Sequence, residues 1–124
     1  MSHIYVIADT SSILYAMSQR KDLFAIIAEE LPGATILVSR GVITELEKLS
    51  KSKRKNSRDA KASLQALASA SPEIAEDYSY VDEWIASESA KRECMVITND
   101  AALKRRLRRS GARTLSVAFG GRLR

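Results

Sequence analysis

An α/β sandwich built on a mainly parallel sheet is the fold this sequence predicts. Three observations predict it. Short apolar runs alternate along the chain with amphipathic segments of helix length. The runs IYVIA and MVIT are apolar on successive residues, as in strands that helices cover on both faces. Gly and Pro stand where several helical segments should stop.

Residues 4–8 (IYVIA) read as a fully buried strand, and residues 12–17 as a helix. A second helix is expected over 21–31, with Leu23, Ile26, Ile27 and Leu31 on one face and Pro32-Gly33 at its end. Residues 35–38 form the next buried strand. The helix over 41–49 has Val42, Leu46 and Leu49 as its apolar face. Residues 50–57 are polar and basic, an exposed loop or helix end. Residues 57–71 are helical, with Ala60, Leu64 and Leu67 inward, until Pro72 breaks them. Residues 74–78 make a short edge strand. The helix over 81–93 turns Trp84 and Ile85 to the core, and residues 95–98 are a third buried strand. Residues 101–109 form a helix with Leu103 and Leu107 inward, stopped by Gly111, and residues 114–117 are the last strand. The tail FGGRLR is too short to add a domain. With right-handed crossovers, the last two helices and strands fall on the opposite side of the first strand from the second. A topological switch point then lies beside the first strand, where ligands bind at the carboxyl ends.

At 124 residues, 45% apolar and 28% charged, the chain is expected to be a single domain spanning 1–124 with an ordinary globular composition. No apolar run approaches the roughly 18 residues that span a bilayer. MSHIYVIADT has neither a basic n-region nor a cleavage pattern, so a cytoplasmic protein without membrane association is expected. Cys94 is the only cysteine, which rules out a disulfide within the chain. His3, the only histidine, stands at the N-terminus, which excludes a His-based zinc site or a Ser-His triad in the core. Catalysis here must use carboxylates, amines or hydroxyls. The net charge of +5 and pI near 9.6 favour a polyanionic partner, with basic residues concentrated in 48–61 and 104–109.

Asp9 follows the first strand, and Asp100 follows MVITN in the same way. Strands flanking the switch point bring these acids together. Glu45 lies in the helix after the second strand, and Asp82, with Glu83 beside it, near the start of the helix before MVIT. Singly, each acid has an ordinary use: Asp9 and Asp100 as helix caps, Asp82 and Glu83 at a helix N-terminus, Glu45 paired with Lys48. Gathered at one sheet edge they repel, and a divalent cation relieves that repulsion. Oxygen donors alone select Mg²⁺ or Mn²⁺. Phosphatases of the haloacid dehalogenase type need a second Asp two residues after the first, where Ser11 stands here. Receiver-type acid pairs and GxGxxG or P-loop patterns are not evident.

DTSSIL (9–14), VITELEKL (42–49), YVDEWI (80–85) and ITND (97–100) resemble, in order, the four acidic motifs of the PIN-domain nucleases. The compact archaeal PIN proteins, which include VapC-type toxins and rRNA-processing relatives, are the nearest in pattern. The resemblance implies a three-layer α/β/α sandwich and a metal-dependent ribonuclease using Mg²⁺ or Mn²⁺. It implies Asp9, Glu45, Asp82 and Asp100 as the catalytic and metal-holding acids, with Ser11, Thr98 and Asn99 as polar support. Glu83 stands where many relatives have a second Asp. A toxin of a toxin–antitoxin pair or an RNA-processing nuclease are the two roles implied. RNA, a protein antitoxin and a second copy of the chain in a homodimer are the expected partners. Lys51, Lys53, Arg54 and Lys55, after the helix carrying Glu45, and Arg105, Arg106, Arg108 and Arg109, on the helix after Asp100, are expected to grip RNA phosphates. Tyr15, Tyr78 and Tyr80 are candidate stacking residues, with packing the stronger reading. A catalytically silent RNA-binding scaffold of the same fold is the rival.

Overall fold

The computed structural model describes residues 4–77, 81–91 and 94–124. Its elements follow the order β1 (Tyr5–Ala8), α1 (Thr10–Ser18), α2 (Leu23–Glu30), β2 (Thr35–Ser39), α3 (Arg40–Ser50), α4 (Ser57–Ala70), β3 (Glu73–Ala75), α5 (Val81–Lys91), β4 (Cys94–Ile97), α6 (Ala101–Arg109) and β5 (Arg113–Leu115). The strands form one sheet in the order β3-β2-β1-β4-β5, and every pairing is parallel. β1 is therefore central, with β2 on one side and β4 on the other. The chain order reverses at β1, which is the switch point the sequence predicts.

Side chains alternate along β1 and so divide the core between two faces. Val6 and Ala8 join Ile13 and Ala16 of α1, Phe24 and Ile27 of α2, Val42 and Leu46 of α3 and Leu67 of α4. Ile7 points the other way, into a cluster with Trp84 and Ile85 of α5, Val96 of β4, and Leu103 and Leu107 of α6. Helices thus cover both faces, which accounts for the unbroken apolar runs and completes three α/β/α layers. No helix among the described residues is long and apolar enough to cross a membrane.

Several boundaries move, each for a local reason. α1 starts at Thr10 rather than residue 12, because Asp9 caps it by accepting from Ser12 N–H. α2 starts at Leu23 rather than residue 21, because Asp22 caps it through Phe24 N–H and Ala25 N–H. β2 runs directly into α3, since Ser39 is both the last strand residue and the N-cap. β3 is short, ending at Ala75, and β5 ends at Leu115. Tyr78, Tyr80 and Glu93, which the sequence places in or beside elements, lie outside the described residues. The tail is ordered: Ser116 and Arg124 exchange backbone hydrogen bonds of 2.8 and 2.9 Å, and Val117 pairs antiparallel with Leu123.

Candidate active site

Asp9 leaves β1 at its carboxyl end. Ala8 pairs with Ile97 in the sheet, so Asp9 and Thr98 emerge side by side from adjacent strands. The Asp9 side chain is 5% exposed and is surrounded by donors. Thr98 Oγ1 donates to Oδ2 at 2.5 Å, Ser12 N–H donates to Oδ1 at 3.0 Å, and the Ser12 hydroxyl lies 2.9 Å from Oδ1. Ser11 Oγ approaches both carboxylate oxygens, at 2.9 and 3.0 Å. Ser11 and Ser12, which follow Asp9 in sequence, and Thr98 from the end of the adjacent strand are therefore its hydrogen-bond shell. The same groups tie in the fourth acid. Ser11 Oγ accepts from Asn99 N–H and Thr98 Oγ1 accepts from Asp100 N–H, both at 3.0 Å. Asp100 then caps α6 through Leu103 N–H at 3.0 Å, its carboxylate exposed.

Asp9, Thr10, Ser11 and Leu14 line one wall of a cleft of about 260 Å³; Glu45, Leu49, Val81, Asp82 and Asp100 complete it. The acids expected from the sequence thus share one cavity at the carboxyl edge of the sheet. Burial pushes the Asp9 carboxyl above its ordinary value, against the opposing hydrogen bonds led by Thr98. Glu45 is raised by burial first, while the Thr10 hydroxyl opposes the rise and the charges of Asp82, Asp9 and Asp77 add to it. Asp82 is raised by burial and then by Asp100, with Arg106 opposing.

Asp77 is an acid that sequence reasoning missed. It lies two residues past the end of β3, and it accepts from Gly41 N–H at 2.8 Å, capping α3, the helix that carries Glu45. The strand-end rule finds it only once β3 is known to end at Ala75. Thr10 is a second. Its Oγ1 is buried and, although near enough to favour ionised Glu45, has no partner at hydrogen-bond distance among the described residues.

Other expected residues face elsewhere. Glu83 and Arg106 form a bidentate pair, both contacts 2.8 Å, on the outer surface of α5 and α6, which holds the Glu83 carboxyl below its usual range. Asn99 turns away from the acids and brackets Val117, donating to its carbonyl and accepting from its N–H, each at 2.9 Å. Arg105, Arg108 and Arg109 are exposed along α6, Arg108 donating to Thr114 Oγ1 at 3.3 Å. Lys51, Lys53, Arg54 and Lys55 are exposed between α3 and α4, and Arg54 and Lys55 border a depression shared with Ser18, at the far end of α1 from the acids.

As they stand, no three His, Cys, Asp or Glu side chains among the described residues are spaced to clasp one metal ion directly. The donor chemistry nevertheless fits a hydrated hard cation: oxygens only, carboxyls raised by burial and then, at Glu45 and Asp82, by neighbouring acids, and an orphaned Thr10 hydroxyl on the cleft wall. Mg²⁺ characteristically keeps several waters and takes only one or two carboxylates directly.

Comparison with known proteins agrees with this fold. The structure is similar to that of the PIN domain endonuclease Utp24, with a TM-score of 0.77 and 28% identity over 96% of this chain and 90% of that one. It is similar to a domain of a functionally unknown protein from Methanocaldococcus jannaschii DSM 2661, with a TM-score of 0.66 and 15% identity over 92% and 91%. VapBC-1 from nontypeable Haemophilus influenzae matches at a TM-score of 0.50 and 16% identity over 90% and 96%. No curated protein matches significantly in sequence. The model of the PIN like domain family matches residues 6–118, from within the first strand to past the last, and the chain belongs to that family.

Proposed function

We propose that the protein is an endoribonuclease that hydrolyses RNA phosphodiester bonds with Mg²⁺ or Mn²⁺. The observation that carries this reading is the buried Asp9 carboxylate in a cleft it shares with Glu45, Asp82 and Asp100. Among the described residues none of these four is in a salt bridge, unlike the neighbouring Glu83. Asp9 and Asp100 would hold the ion, and Glu45 and Asp82 would complete the cluster directly or through water. When bound, such an ion lowers the pKa of a water and stabilises charge developing on the phosphodiester. The chain itself supplies rigidity: Thr98 and Ser11 link Asp9 to the backbone of Asn99 and Asp100, so both acids move as a unit. Likeness to an endonuclease over nearly the whole chain supports cutting within a strand.

The same reading takes the protein as a single domain working in the cytoplasm as a homodimer. Its role is that of a toxin held by a protein antitoxin or of an RNA-processing nuclease. The open spacing of the acids favours a second reading, a silent RNA-binding scaffold. A panel of RNAs incubated with Mn²⁺, Mg²⁺ or EDTA separates them. Cleavage that needs metal and disappears in both Asp9→Asn and Asp100→Asn supports the nuclease. Binding without cleavage in the parent supports the scaffold.

A further inference from the structure

Phe119 is 86% exposed, the most exposed large apolar side chain among the described residues. Single exposed apolar residues usually need no explanation. This one stands on a built support. Ala118 N–H donates to the Arg122 carbonyl at 2.7 Å and Gly121 N–H to the Ala118 carbonyl at 2.9 Å, which places Phe119 in the tip of a tight hairpin. Gly120 and Gly121 make the turn at φ +89° and +87°. Gly121 lies so close to Lys21 that an added Cβ would meet its Cγ at 2.6 Å.

The hairpin is also tied to the acidic site. Asn99 brackets Val117 with two hydrogen bonds, and Ser116 Oγ donates to the Thr98 carbonyl at 2.8 Å. Thr98 and Asn99 are the residues immediately before Asp100. Phe119 is two positions after Val117, so its Cα is at most about 7 Å from that anchor. Exposed Arg20, Lys21, Arg122 and Arg124 belong to the hairpin and to the loop just after α1, at the end of that helix away from Asp9, against Glu29 and Glu30 on the same flank. An exposed aromatic on a hydrogen-bonded hairpin, with surplus cations around it and the base of the hairpin anchored beside the acid cluster, matches what an unpaired base requires: a π-face to stack on and charge for its phosphates.

We propose that Phe119 is a stacking platform for one unpaired base of the RNA strand whose scissile phosphate lies in the acidic cleft, so that the substrate is single-stranded there. This rests on the ribonuclease reading above. The test is binding of a labelled single-stranded oligonucleotide, measured in EDTA, to the parent, Phe119→Ala and Phe119→Trp. Loss of one stacked base should weaken the Ala variant roughly 5- to 150-fold. Trp should hold parental affinity, a duplex of the same sequence should bind parent and Ala variant alike, and one abasic nucleotide in the strand should erase the difference between them. Because Phe119 is so exposed, the Ala variant should melt with the parent. Parental affinity in Phe119→Ala, or an equal loss for duplex and single strand, overturns the proposal. So does unchanged RNA affinity accompanied by a shift from dimer to monomer, which would make the tip a contact between copies. If the parent cuts RNA with Mn²⁺ while Phe119→Ala binds normally, only the platform fails; a parent that binds no RNA overturns both.

Discussion

Thr98 is the smallest part whose loss should be felt at a distance. Its hydroxyl donates to Asp9 and accepts from Asp100 N–H, and its side chain is fully buried. Thr98→Val keeps the shape and removes both bonds. Groups that orient metal-holding side chains typically contribute 10- to 100-fold, so Mn²⁺ affinity measured by titration should fall about that much. Stability should fall by about 1–3 kcal/mol from the buried groups left unpaired. Glu45 offers a test through pH. Its folded pKa is raised above the ordinary 4.5 by burial, with Asp82, Asp9 and Asp77 adding repulsion. A raised folded pKa gives stability that is complete below the unfolded value and lost as pH rises through the folded one. Without metal, Glu45→Gln should therefore gain on the parent as pH rises from about 4.5, and thermal melts across that range check it. A difference that stays flat with pH contradicts the burial of Glu45 among these acids. At this scale the sequence was legible where an acid follows an apolar run, directly as at Asp9 or after Thr98-Asn99 as at Asp100. It was less so at Asp77, where an edge strand drawn too long concealed a strand-end acid. Nor does sequence show that Glu83 faces Arg106, since that pairing depends on how α5 and α6 are rotated.

Among the elements, α3 shows how the fold aims an acid. Its first turn is capped twice, by Ser39 Oγ to Val42 N–H at 3.2 Å and by Asp77 to Gly41 N–H. A Cβ on Gly41 would stand 2.5 Å from Asp77 Oδ2 and 2.6 Å from Val81 Cγ2, so only glycine lets the chain after β3 press against the helix. Gly41→Ala should cost about 1–3 kcal/mol in denaturant unfolding. Asp77→Ala alone should cost about 0.5–2 kcal/mol for the lost cap. The double variant should cost less than the sum, because removing the carboxylate opens part of the space the methyl needs. Strict additivity would argue against this contact. Helices and buried strands were readable from periodicity because both faces of the sheet are covered. The C-terminal hairpin was not: residues 116–118 and 122–124 are too short to show alternation, and only the Gly120-Gly121 pair marks the turn.

For the whole molecule, the all-parallel order β3-β2-β1-β4-β5 decides where chemistry sits. Acids scattered from residue 9 to residue 100 meet because β1 is central and every strand ends at the same edge. Alternating strands and helices, with right-handed crossovers, were enough to predict that meeting. The distances between the acids were not predictable, and they are what separates a nuclease from a scaffold. The central claim is that this edge is a cation site, and thermal unfolding with and without Mn²⁺ tests it most directly. At a hundredfold excess over Kd, Mn²⁺ should stabilise the parent by about 2.7 kcal/mol. Asp9→Asn and Asp100→Asn, which keep a capping side chain but lose an anion, should gain much less. No Mn²⁺ shift in the parent, or the same shift in all three proteins, would contradict the claim and leave the carboxylates as helix caps.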